Sequence, residues 1–294
     1  MAAQQAGLFN DAVMRYFGAA WTEFDTGAPL DQLSALQGME DEEFGGTDVL
    51  VTNGYDRIFQ PLSNGYEIRT GAAVSSISQT ASDITVEYSG GTISADAVIL
   101  TVPLGVLKAG SIQFSPGLST TKLAAINRVG FGTVNKVVLE FAQATWPSGL
   151  QYYGFCRAVG AAGRACYAMN VKRLNSRANV LVVIYTGSEA IRLETLSDAQ
   201  ATQDALAGIR PILGATPPAL KSSRVTRWKS EAFSKGSYSF AAVGTKATDF
   251  DTIARPQGRL YFAGEHTNGA YRGTVHGAYM SGQRAAAEVV ATLA

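Results

Sequence analysis

One stretch near the C-terminus restricts this chain more than any other: Gly258 to Thr267, reading Gly-Arg-Leu-Tyr-Phe-Ala-Gly-Glu-His-Thr, followed by Tyr271 to Gly282. A short apolar strand runs into Gly264-Glu265, a glycine-spaced loop follows, and a long helix rich in small residues begins at Thr274. Glycine lets main chain approach a ligand with no Cβ in the way. The free N–H groups at a helix start carry partial positive charge that favours an anion. The arrangement suits backbone laid against a flat, anionic cofactor, which points to a flavin.

With 294 residues, 46% of them hydrophobic, the chain can bury a large core in one big domain or two ordinary ones. Its 24 basic and 24 acidic residues cancel, so no global field gathers nucleic acid or anionic lipid, and neither is an expected partner. Met1 to Gln5 carry no secretory pattern, and the longest apolar stretch, near Ala97 to Leu107, is broken by Pro103 and too short to span a bilayer. The expectation is a cytoplasmic protein. Cys156 and Cys166, placed to face each other across a hairpin turning at Gly160 to Gly163, read as free thiols, and His266 and His276 lack the spacing of a metal set.

The periodicities predict two interleaved layers. Val74 to Ile77 and Ile84 to Tyr88 have strand character, and the continuous apolar run Ala97 to Val102 reads as a strand buried on both faces. Further strands are expected at Asn135 to Phe141, across the Tyr152 to Tyr167 hairpin, at Asn179 to Tyr185 and at Arg224 to Trp228, this second set mainly antiparallel. Ser197 to Gln200 forms a capping box ahead of a helix that Gly214 stops, with Pro211 bending or ending the last turn. Leu8, Phe9, Ala12, Val13, Tyr16 and Phe17 have helical spacing, and Glu40 to Glu43 reads as a solvated acidic loop.

Five segments occur in one order: Gly54-Tyr55, Thr101 to Lys108, Gly130 to Leu139, Gly236-Ser237-Tyr238-Ser239 and the C-terminal block. The combination resembles the flavin-containing amine oxidases, the group of polyamine oxidases, monoamine oxidases and lysine-specific histone demethylases, and is most similar to the polyamine oxidase and demethylase branch. The resemblance runs from near Phe44 to the end of the chain. It implies an α+β / α/β fold corresponding to the C-terminal part of a two-domain, FAD-linked oxidase, with a mainly antiparallel substrate-domain sheet plus helices. The implied division is 1–45 for a helical part of the substrate domain, 46–112 for an FAD-binding segment, 113–232 for the substrate domain and 233–294 for the C-terminal FAD-binding segment.

The resemblance also implies roles. Lys136, in Gly-Phe-Gly-Thr-Val-Asn-Lys, matches the lysine that holds a water beside flavin N5, and Tyr238 and Trp228 match aromatic positions around the isoalloxazine. Phe233 stands at a further aromatic position, as a cofactor neighbour or a structural plug. Thr274 occupies the place of a second cage tyrosine in monoamine oxidases, which implies a wider site suited to polyamines or peptidyl lysine. Gly264 and Glu265 match the turn near the ribityl and pyrophosphate, Val74 the strand that recognises adenine, and Val102 with Pro103 a loop over the cofactor. Thr274, Val275 and Ala278 open the helix that faces N1 and C2=O.

The implied activity is FAD-dependent oxidation of an amine to an imine, with O2 reduced to hydrogen peroxide. One departure stands against it: no strand, G-x-G-x-x-G turn and helix for the pyrophosphate occur in these residues, since Asn135 takes the third glycine's place after Gly130 and Gly132. The cofactor-binding half is then either supplied by a separate chain or lost, and the alternative reading is a non-catalytic, truncated oxidase-like domain. A third reading keeps the fold with another substrate, as in flavin desaturases or porphyrinogen oxidases; the Asn135-Lys136 and Gly236 to Ser239 elements weigh against it.

Overall fold

The computed structural model describes residues 7, 10–47, 49–51 and 54–294, so the expected helical positions Leu8 and Phe9 lie outside it. Helix α1 (Ala12–Phe17) starts where the Asp11 carboxylate accepts the N–H groups of Val13 and Met14. It continues as a π-helical stretch, Gly18–Glu23, and a last turn, Phe24–Thr26, that Gly27 ends with φ +68°. A short α2 (Asp56–Phe59) precedes the first sheet.

That sheet contains β1 (Val74–Gln79), β2 (Ile84–Tyr88) and β3 (Gly91–Ala95), with β4 (Val98–Leu100) leaving it and α3 (Leu104–Lys108) leading to β5 (Gln113–Ser115). Its order is β3-β2-β1-β5, antiparallel except for the parallel β1–β5 pair. Helix α4 (Thr120–Arg128) and the two-residue β6 (Gly130–Phe131) lead into β7 (Asn135–Phe141), β8 (Tyr152–Gly154), β9 (Tyr167–Asn170) and β10 (Val180–Tyr185). Helices α5 (Gly187–Glu194) and α6 (Asp198–Leu213) then lead to β11 (Leu220–Val225), completing an antiparallel sheet ordered β11-β7-β10-β9-β8. The chain closes with β12 (Ser239–Phe240), α7 (Asp249–Ala254), β13 (Leu260–Phe262) and α8 (Val275–Leu293). The mixed helices and sheets, with a large antiparallel sheet, are those the resemblance implies.

Strand β7 alternates as its sequence predicts: Asn135, Val137, Leu139 and Phe141 are buried, while Lys136, Val138 and Glu140 are half-buried. Val137, Leu139 and Phe141 pack with Val183 and Tyr185 of β10 against Leu193, Ala205 and Ile209 of α5 and α6. Burial of each large apolar side chain contributes roughly 1.5–3 kcal/mol, which makes this layer the main anchor of the sheet. The opposite face meets the N-terminal helical stretch, where Ala19 and Phe24 pack with Val134, Val182 and Ile184. A separate core, including Ile77, Leu104, Ile126, Phe250 and Phe262, joins the first sheet to α4 and α7.

Two expectations change. The apolar run Ala97 to Val102 is a three-residue strand whose only partner among the described residues is β13, and Ile99 is 37% exposed, so it is not covered on both faces. The strand expected at Arg224 to Trp228 lies at Leu220–Val225 instead; it is an exposed edge strand whose polar residues give no alternation. Helix α6 ends at Leu213 as expected, with Pro211 in its last turn and Gly214, at φ +78°, as its stop. Its capping box forms as expected, Ser197 Oγ accepting the Gln200 N–H and Gln200 Oε1 the Ser197 N–H. Ser197→Ala is expected to lower stability by about 1 kcal/mol, read as a shift in the urea midpoint at unchanged m-value. Cys156 is exposed and Cys166 buried, and the two are unbonded.

Candidate functional site

The end of β13 delivers Gly264 in a conformation open to glycine alone, φ +129°, and a Cβ there would lie 2.5 Å from the His266 ring. The turn is fixed by Gly264 N–H donating to Ser281 Oγ at 2.8 Å and by Thr267, whose N–H and Oγ both donate to the Gly264 carbonyl. Glu265 points from this turn into the structure. Its Oε2 accepts Ser239 Oγ–H at 2.5 Å and Gly273 N–H at 2.6 Å, and its Oε1 accepts Ser239 N–H at 3.2 Å. Burial pushes its carboxyl above the usual range, against these three donors. One carboxylate thus ties the turn to β12 and to the loop that starts α8.

Thr274 caps α8, accepting Gly277 N–H at 3.0 Å and donating to the Tyr271 carbonyl at 2.7 Å. Gly277 is required at this cap, since a Cβ would sit 2.0 Å from the Tyr271 oxygen. With the Thr274 oxygen engaged, the N–H groups of Val275 and His276 keep no acceptor among the described residues. They form an outward pair of donors at the positive end of a 19-residue helix.

Tyr238 stands beside this corner. Its hydroxyl donates to the Phe24 carbonyl, its ring lies against Gly27 and Gly273, and burial pushes its phenol up. Two motif glycines permit the packing: Gly236 N–H reaches the Trp228 carbonyl, Gly132 N–H reaches the Tyr238 carbonyl, and a Cβ on Gly132 would meet the Gly27 backbone at 2.5 Å. Lys136 lies on the half-buried face of β7 opposite Ile184. Its ammonium has no acceptor among the described residues, and burial lowers its pKa.

Gly264, Glu265, Ser239, Gly273, Thr274 and Tyr238 are therefore joined by direct contacts. Lys136 and Trp228 connect to them through the Gly132 and Gly236 segments, and Val102-Pro103 through Gly105, which touches the backbone of Ser234 and Lys235. Val275 and Ala278 lie on the first turn of α8, while Val74 belongs to the first sheet and shares no hydrogen bond with this cluster. Phe233 is 69% exposed and plugs nothing.

The acidic run is not simply solvated. Arg272, itself buried, donates to Asp41 Oδ1 at 2.9 Å and to the carbonyls of Gln37, Gly38 and Gly269. Glu42 N–H donates to the Ala270 carbonyl at 2.7 Å, Tyr271 Oη donates to Glu42 Oε2 at 3.1 Å, and Phe44 stacks on His276 with centroids 4.4 Å apart. The run is a strap across the loop that presents Thr274. Sequence reasoning missed Arg272, because its carboxylate partner is remote in the chain, and it missed Glu194 for the same reason. Among the described residues no three His, Cys, Asp or Glu side chains converge on a metal position, and no helix is long and apolar enough to cross a membrane.

Residues 2–290 match the family of flavin containing amine oxidoreductases, and the chain belongs to that family. It is 34% identical over 287 residues to lysine-specific histone demethylase 1 homolog 3 of Arabidopsis thaliana, covering 92% of this chain and 18% of that protein. It is 35% identical over 277 residues to lysine-specific histone demethylase 1B of Mus musculus (92% and 33% covered) and 37% identical over 265 residues to polyamine oxidase 4 of Oryza sativa subsp. japonica (89% and 53%). The chain thus spans about a fifth to a half of the curated relatives it matches. A double mutant of putrescine oxidase shares the fold, with a TM-score of 0.79 at 21% identity over 95% of this chain and 64% of that one.

Proposed function

We propose that this chain forms the substrate side and the ring-binding corner of an FAD-dependent enzyme that oxidises amines of the polyamine or alkyl-lysine kind. The observation that carries the reading is the Glu265 tie, which holds Gly264 and Gly273 rigid beside the two open N–H groups of Val275 and His276. These donors fit the electron-rich pyrimidine edge of a flavin, and Gly264 admits the His266 ring that packs against the turn beside them. The family model supports a flavin; FAD, O2 and the choice of amine belong to this proposal. The division into a substrate segment (1–45 and 113–232) and cofactor segments (46–112 and 233–294) belongs to it as well.

A bound flavin would supply a two-electron acceptor for the C–H beside the amine nitrogen, the amine losing a hydride and a proton to become an imine and O2 taking up both electrons and two protons as hydrogen peroxide. The chain's own residues orient and desolvate. Tyr238 and Trp228 supply an aromatic wall that holds the amine-bearing carbon, and an aromatic face also attracts the cationic amine before it loses its proton. Lys136 brings an unpaired, desolvated ammonium that orders a water at the reacting edge. Val102 and Pro103 cover the cleft, while Val74 offers backbone to the adenine end. The sequence carries no G-x-G-x-x-G turn for the phosphates.

Titration of the purified chain with FAD, followed by flavin absorbance and by peroxide release on adding a polyamine, tests the reading. Saturable uptake and amine-dependent peroxide support it; no uptake favours the non-catalytic alternative. Lys136→Met is expected to slow oxygen-dependent turnover about tenfold, which corresponds to about 1.4 kcal/mol of barrier, with flavin uptake unchanged. Equal turnover in this variant removes Lys136 from the chemistry.

A further inference from the structure

The side chain of Asn135 points away from that of Lys136, into the buried layer, and is fully buried. Its Nδ2 donates to Glu194 Oε1 at 2.7 Å and to the Ala190 carbonyl at 3.2 Å; its Oδ1 accepts Thr226 Oγ–H at 3.0 Å and Trp228 N–H at 3.2 Å. Every hydrogen-bonding capacity of the amide that the site can use is engaged. Glu194, the last residue of α5, continues the network: Oε1 also accepts Lys229 N–H and Oε2 accepts Ser230 N–H, both at 2.8 Å. Thr226 Oγ meanwhile accepts the Lys136 N–H at 2.8 Å.

These bonds sit where β11 ends and the chain leaves the sheet. From there the Trp228 carbonyl accepts Gly236 N–H and Ser234 Oγ–H, which sets the start of the Gly236 to Tyr238 segment. A single hub therefore reaches the backbone of Lys136, the Trp228 to Ser230 turn and the Tyr238 segment. We propose that Asn135 and Glu194 are positioning residues, an amide and a carboxylate that hold Trp228 in register with Lys136 so that both face one amine; the final clause rests on the function proposed above.

Isosteric changes test it. Glu194→Gln replaces an acceptor with a donor facing backbone N–H groups, and Asn135→Asp sets two carboxylates against each other. The double variant restores a donor to the Asn135 position's partner, and residues sharing a network are expected to be non-additive. In a Trp21→Phe background the remaining tryptophans are buried Trp146 and partly exposed Trp228, so acrylamide quenching reports Trp228. Each single variant is expected to raise the quenching constant, and the double variant to return toward the parent. With active enzyme, KM for the amine rises about tenfold, roughly one lost hydrogen bond to a charged group, with a smaller change in kcat. If Asn135→Asp does not fold, Glu194→Gln decides alone. A lower melting temperature with unchanged quenching overturns the positioning role. A chain that oxidises no amine defeats the proposed function while the quenching result still decides the positioning of Trp228.

Discussion

Arg272→Met is expected to lower stability by about 3 kcal/mol, near the lower end for breaking a buried ion pair, because Asp41 retains some access to water. The methionine keeps most of the apolar stem against Phe250 but removes four hydrogen bonds, three of them to carbonyls that have few other donors nearby. Burial already lowers the Arg272 pKa, and Asp41 and Glu40 offset it, so the guanidinium is held by its partners rather than by solvent. Arg272→Lys should recover only part of the loss, since a point charge cannot span Gly269 on one side and Gln37, Gly38 and Asp41 on the other. Urea denaturation measures both. A midpoint unchanged in Arg272→Met would show that the strap of residues 37–44 closes over the Thr274 loop without contributing to it.

The contrast between the strap and β7 shows what the sequence could disclose. Along β7 each side chain's fate depends on its immediate neighbours and the pleat, so alternation alone separates Val137 and Leu139 from Val138 and Glu140. The capping box at Ser197 and the glycine-punctuated start of α8 are local in the same way. Asp41 and Arg272 are distant in the chain, and a charge run reads as solvated until its counter-ion is placed beside it. Edge strand β11 leaves no period to read, because Leu220 to Arg224 are all exposed. Asn135 was visible as part of a motif, but its work is done by Glu194, which no local pattern distinguishes from any other helix-terminal carboxylate. Family resemblance supplied the candidate site where periodicity could not, and the fold explains its glycines: Gly132, Gly236 and Gly264 are close-packing positions, and the last two also take a positive φ.

Glu265→Gln should cost about 2 kcal/mol of stability and weaken flavin uptake by tenfold or more, since its amide presents a donor where Ser239 and Gly273 already donate. Glu265→Ala leaves all three donors unsatisfied and is expected to lose about 3 kcal/mol. The pH dependence separates the two forces acting on the carboxyl. Burial raises its pKa above the ordinary 4.5, so the folded state binds the proton more tightly than the unfolded state. The stability this proton linkage gives is full below pH 4.5 and is lost as pH rises through the raised pKa. Glutamine does not titrate, so the gap between the native protein and Glu265→Gln is expected to narrow as pH rises across that window. If it widens, the ionised carboxylate is the form the fold selects. The donors from Ser239 and Gly273 would then outweigh desolvation, and the Glu265 turn would carry a permanent negative charge beside the positive end of α8.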